Sequence, residues 1–78
     1  MTNDEKYRQL FIATFGVTGE ALPGLAYQGV DAWDSVGHME LIAGLEEMFN
    51  IMMETDDIIR FNSFTIGYEI LRKYDVRV

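Results

Sequence analysis

The 78-residue sequence contains no cysteine, one proline, one histidine, and only 6 basic residues against 13 acidic ones. The missing cysteine excludes a disulfide framework, a thiolate metal site and a thiol nucleophile. The shortage of positive charge leaves a net charge of −7, which argues against nucleic acid and anionic membranes and in favour of basic protein surfaces as partners. Long apolar runs are missing too. The uncharged stretch Leu10 to Gly19 is about half of the ~20 residues a bilayer-spanning helix needs, and it carries no basic flank or cleavage signal. The expectation is a cytoplasmic domain, monomeric and without membrane insertion. At this length there is room for one domain, residues 1–78. With 49% apolar residues, it can build a core that buries ~60% of the unfolded surface.

The charge is unevenly spread. Between Arg8 and Arg60 there is no Lys or Arg, while nine acids fall there: Glu20, Asp31, Asp34, Glu40, Glu46, Glu47, Glu54, Asp56 and Asp57. One side of the molecule is therefore expected to be negative, with positive charge at the two chain ends. A charge run of this kind is most simply a solvated face. The spacing of its neighbours suggests more.

Four helical segments are predicted. Thr2, Asn3 or Asp4 caps a first helix whose apolar positions Tyr7, Leu10, Phe11, Thr14 and Phe15 recur at i, i+3, i+4, and Gly16 stops it. Residues 17–33 hold Gly19, Gly24, Gly29 and Pro23 and read as a long ordered loop rather than a helix, pinned by Leu22, Leu25, Tyr27, Val30 and Trp33. A second helix is predicted over Ser35–Phe49, capped by Asp34 or Ser35. Its inward band is His38, Leu41, Ile42, Leu45, Met48 and Phe49. Its opposite face carries Val36, Glu40, Ala43 and Glu47, with Met39 and Glu46 at the margin. Thr55 is expected to cap a short helix through Ile58, Ile59 and Phe61, and Ser63 a last helix containing Phe64, Ile66, Ile70, Leu71 and Tyr74. Gly67 weakens that helix by ~1 kcal/mol relative to alanine. The fold class is all-α, a small bundle of three main helices and one short one.

Few residues offer chemistry. Ser35 opens an acidic helix after the long loop, where unsatisfied N–H groups and the helix dipole favour an attached phosphate. On its own it reads more simply as a capping serine. A nucleophile elbow is excluded because Trp33 stands where its first glycine belongs. Asp34, Ser35 and His38 lie within one turn and cannot form a relay around an oxyanion pocket. His38 reads as a partly buried, hydrogen-bonded side chain rather than a base or ligand. Glu54, Asp56 and Asp57 lack the calcium-loop pattern, leaving at most loose divalent binding. Met48, Met52 and Met53 cluster after the second helix and read as core filler or as the wall of a deformable apolar pocket.

The run Trp33-Asp34-Ser35-Val36-Gly37-His38-Met39-Glu40-Leu41-Ile42-Ala43-Gly44-Leu45-Glu46-Glu47-Met48-Phe49 resembles the attachment segment of acyl carrier proteins. That family's pattern is Asp-Ser-Leu, then a Glu-Leu pair, then Leu-Glu-Glu ending near Phe. The likeness extends to the length, the long first loop, the Thr55-Asp56-Asp57-Ile58 start and the closing helix from Ser63. Two departures are Val36, where the family usually has Leu, and Gly37, where a polar or acidic residue is common.

The resemblance implies a carrier rather than an enzyme. A phosphopantetheinyl transferase would attach 4′-phosphopantetheine from coenzyme A to Ser35, with Mg2+ only in the transferase's own site and Asp34 assisting. The bound arm would carry acyl intermediates as thioesters between enzymes of a fatty-acid, polyketide or surface-glycan pathway. Val36, Met39, Glu40, Ala43, Glu46 and Glu47 would dock basic patches on acyl-loading and acyl-transfer enzymes. Leu45, Met48, Met52 and Ile59 would line an acyl pocket. Two other readings share these residues: an aminoacyl or peptidyl carrier with the same arm, and an unmodified acidic interaction module.

Overall fold

The computed structural model describes residues Met1–Val78 as an all-α domain: α1 (Asn3–Phe15), a 3-10 helix (Gly19–Gly24), α2 (Ser35–Phe49), α3 (Thr55–Arg60) and α4 (Phe64–Lys73), with no strand. No helix is long and apolar enough to cross a membrane.

The three longer helices, α1, α2 and α4, each start where a side chain can satisfy one of the first N–H groups. At α1 the cap is Thr2, whose hydroxyl accepts from Glu5 N–H while the Glu5 carboxylate accepts from Thr2 N–H, both at 3.1 Å. This reciprocal box satisfies two donors. Ser63 opens α4 by accepting from Ile66 N–H. Gly16 (φ 65°) and Asn50 (φ 52°) close α1 and α2 in the left-handed region, where Gly and Asn carry the smallest steric penalty. The short helix departs from expectation: Glu54, not Thr55, occupies its cap position and makes no side-chain cap bond. The Glu54 N–H is instead satisfied from beyond its own helix, donating at 2.9 Å to the hydroxyl of Tyr74, the residue that closes α4.

The segment between α1 and α2 also differs from a plain loop. Six of its residues form the 3-10 helix, with Pro23 inside it; a 3-10 turn needs few intrahelical N–H donors, so proline is tolerated. Leu22 and Leu25 are buried beneath it. Backbone bonds then stitch this segment to the chain before α4: Tyr27 N–H donates to Asn62 O and Phe64 N–H to Leu25 O, each at 2.9 Å.

The core is aromatic on one side and aliphatic on the other. Phe11 is its hub, with ring centroids 4.9 Å from Tyr7, 5.1 Å from Phe64 and 5.5 Å from Trp33; such pairs add ~0.5–1.5 kcal/mol each beyond burial. From α2, Leu41, Ile42 and Leu45 complete it, with Ile70 and Leu71 from α4. Gly67 acquires a role that its helix propensity conceals. A Cβ there would overlap the Tyr7 hydroxyl and the Phe61 ring, so the glycine lets Tyr7 reach across and donate to Phe64 O at 2.7 Å.

The methionines separate. Met53 is buried, Met48 half-buried, and Met52 86% exposed, so only part of the expected methionine cluster fills core.

Candidate functional site

Ser35 is placed by the residue two positions before it. Trp33 is fully buried, stacked on Phe15 with centroids 5.0 Å apart, and anchors the chain where it enters α2. Asp34 then takes the cap position, its carboxylate accepting from Gly37 N–H at 2.8 Å. Ser35 is the first helical residue, exposed. The choice between two capping residues is thereby resolved in favour of Asp34, and the Ser35 hydroxyl is not needed to cap the helix.

Gly37 is buried because the preceding turn folds onto it. A Cβ at this position would overlap the Ala32 carbonyl oxygen and stand 3.3 Å from the Phe15 ring. The polar or acidic residue common here among acyl carrier proteins has no space in this chain.

Ser35 opens onto a groove of about 370 Å³ between α2 and α3, at the small end of the ~300–1,000 Å³ range of small-molecule sites. Met39 and His38 line it from α2, Ile58 and Ile59 from α3, and Tyr27, Phe61 and Asn62 from the flanking segments. Of the four residues expected to form an acyl pocket, only Ile59 belongs to this groove. Leu45 is sealed in the core and Met52 points into solvent. Met48 lines a separate concavity with Lys6, Leu10, Gly44 and Glu47 between α1 and α2. The helical offset accounts for the difference: Ser35, His38 and Met39 stand at i, i+3 and i+4 and share a face, whereas Leu45 and Met48 lie two to three turns farther along.

His38 makes two bonds that assign its tautomer. The Trp33 indole N–H, which can only donate, gives its hydrogen to His38 Nδ1 at 3.0 Å. His38 Nε2 lies 2.8 Å from the Ile58 carbonyl oxygen, which can only accept, so Nε2 carries the proton. That carbonyl is among the last of α3 and has no partner within its own helix. His38 thus bridges α2 to α3, and its ring walls the groove on the α2 side, 6.2 Å from the Trp33 ring and 6.3 Å from the Phe61 ring between centroids.

Most side chains of the expected docking face lie on the surface. Val36 and Met39 are 66% and 54% exposed, and Glu40, Ala43 and Glu47 are exposed beside them. Glu46 is an exception: it is half-buried, and its carboxylate accepts from Met53 N–H at 2.9 Å, tying the end of α2 to the following segment.

Asp57 also leaves the acidic strip. Only 3% exposed, its carboxylate accepts from the Tyr74 hydroxyl at 2.5 Å and, through its two oxygens, from Lys73 Nζ at 2.9 and 3.1 Å, with the Arg60 guanidinium 3.9 Å away. The hydrogen bonds from Tyr74 and Lys73 hold its pKa below the ordinary 3.8. The remaining strip does not gather into a metal site; no group of three or more His, Asp or Glu side chains is placed to hold an ion.

Tyr27, Ile58, Phe61 and Asn62 are the site residues that sequence reasoning missed. Asn62 and Tyr27 meet only through the backbone stitching across the fold, which no local pattern announces. Comparison with protein-family models, curated proteins and solved structures finds no match for this chain.

Proposed function

We propose that the protein is an acyl carrier of the acyl-carrier-protein type, bearing 4′-phosphopantetheine on Ser35. The observation that carries this reading is the division of labour at the start of α2. Asp34 caps the helix, so the neighbouring hydroxyl stands exposed at the helix N-terminus, on the edge of an apolar groove and beside an acidic face. A serine kept for capping would spend its oxygen on the backbone.

These residues fit the group. The positive end of α2 favours a phosphodiester at Ser35, and the groove offers apolar surface next to it. The arm would supply the thiol that a chain without cysteine cannot provide. Its attachment breaks one phosphoanhydride bond of coenzyme A and forms the Ser35 Oγ–phosphorus bond; the hydroxyl proton leaves to a base in the transferase, and 3′,5′-adenosine diphosphate departs. Val36, Met39, Glu40, Ala43 and Glu47 form the docking face for basic patches on the transferase and on acyl-handling enzymes. Such contacts raise encounter rates and set partner choice more than they add affinity, which suits a shuttle. Asp34 orients the helix entry and contributes charge at the modified residue.

Intact mass after incubation with coenzyme A, Mg2+ and a permissive phosphopantetheinyl transferase tests the proposal. The wild-type chain should gain one phosphopantetheine and Ser35→Ala none. Failure of the wild type to gain mass with any competent transferase overturns the carrier reading and leaves an acidic interaction module.

A further inference from the structure

We propose that His38 is the specificity-determining residue of this carrier, confining a cargo tethered to Ser35 to the outer groove and so selecting short acyl chains; the inference rests on the carrier reading above. Three observations point the same way. First, the groove begins at Ser35 itself and is small, about 370 Å³. Second, the His38 ring walls the groove on its α2 side, with Phe61 lining it as well, and the fully buried Trp33 lies behind the His38 ring. A chain entering the core past His38 must displace that wall. Third, the wall is locked at both ends: Trp33 donates to Nδ1 at 3.0 Å and Nε2–H donates to Ile58 O at 2.8 Å. α3 is therefore bonded to α2 through the ring that walls the groove.

The physical consequence is a ceiling on how much chain can be buried. Burial of each methylene contributes roughly 0.8 kcal/mol of transfer free energy, so a fully buried two-carbon extension raises the Tm of a domain this size by roughly 10 °C. Carbons left in water add almost nothing. The dependence of Tm on cargo length therefore reads the depth of the site directly, with no partner enzyme needed.

The test loads Ser35 through a permissive transferase with amide-linked coenzyme A analogues of acetyl, butyryl, hexanoyl, octanoyl and decanoyl groups. Intact mass confirms loading, and thermal unfolding follows. The expected wild-type result is a rise in Tm that levels off by hexanoyl, later steps adding less than about a fifth of the full-burial value. His38→Ala removes both bonds and the wall, so its Tm should be lower throughout and should continue to climb through decanoyl. His38→Gln, whose amide supplies an adjacent acceptor and donor, should restore the early plateau. If the alanine variant does not fold, His38→Leu, apolar but unable to bridge, replaces it. A merely structural role for His38 would lower every Tm equally and leave the plateau where it was. That outcome overturns the proposal, as does a wild-type Tm that rises at full steps to decanoyl. No mass gain on the wild type overturns the carrier reading, and this proposal with it.

Discussion

The seam between α1 and α4 and the seam between α2 and α3 are built on opposite principles. At the first, Gly67 removes a side chain so that Tyr7 and Phe61 can come into direct contact with the helix, and rings fill the space completely. At the second, polar bonds supplement the packing, His38 to Ile58 between the helices and Lys73 and Tyr74 to Asp57 behind, and a groove remains open beside Ser35. A six-residue helix has little stability of its own. The closed seam is filled by rings, and the bonded seam holds a short helix next to the residue proposed to be modified.

The comparison breaks most sharply at Gly67. Gly67→Ala forces a methyl into Tyr7 and Phe61 and should cost about 3 kcal/mol, a Tm loss of roughly 12–24 °C by thermal circular dichroism. A near-neutral result would mean the first seam is looser than its geometry indicates. Tyr7→Phe, which removes only the bond to Phe64 O, should cost about 1 kcal/mol.

At the bonded seam the expected effect depends on pH. Asp57 is held below the ordinary carboxyl value of 3.8, so the fold favours its ionised form. The stability it contributes is complete above the unfolded carboxyl range and is lost as pH falls through about 4 and below. Asp57→Asn should therefore melt lower than wild type at neutral pH, with the gap closing in that acid window. A gap that stays constant down to pH 3 would show that the carboxylate's charge is not what holds α3.

The exposed face of α2 should affect stability least. Glu40→Lys with Glu47→Lys removes no internal contact and should leave Tm within the change given by ~0.5 kcal/mol, while slowing modification of Ser35 by about tenfold at low salt. An unchanged initial rate in the mass assay would separate this face from docking. Added salt should raise Tm slightly by screening the uncompensated acids, and a flat response would remove self-repulsion from the account.

How far the sequence could be read follows the same division. Local patterns located α1, α2 and α4, because apolar spacing and caps act within one helix: Thr2 with Glu5, Tyr7 with Phe11, Leu41 with Leu45. The contacts that build the site were harder to see. Glu46 and Asp57 looked like two more surface acids, since nothing within four residues of either reveals the Met53 N–H or the Lys73 ammonium that each meets after the chain turns back. Leu45 and Met48 were expected in a pocket because the resemblance implied one there, but Leu45 is sealed in the core and Met48 faces a separate concavity beside α1. His38 was read as a satisfied side chain, and it is one; its bridging role depends on which carbonyl satisfies it. Gly67 looked like a local weakness and Gly37 like a departure from the family pattern; both are points of close approach.

The paired amides and carbonyls joining Leu25 to Phe64 and Tyr27 to Asn62 make the cleft beside Ser35 mechanically lopsided. Its Tyr27–Asn62 rim is knitted into the main chain on both sides and behaves as a fixed jaw. The opposite rim, Ile58 and Ile59 of α3, is tied across the cleft to α2 by the His38 bond. Removing that one tether should loosen this rim while leaving the stitched frame in place.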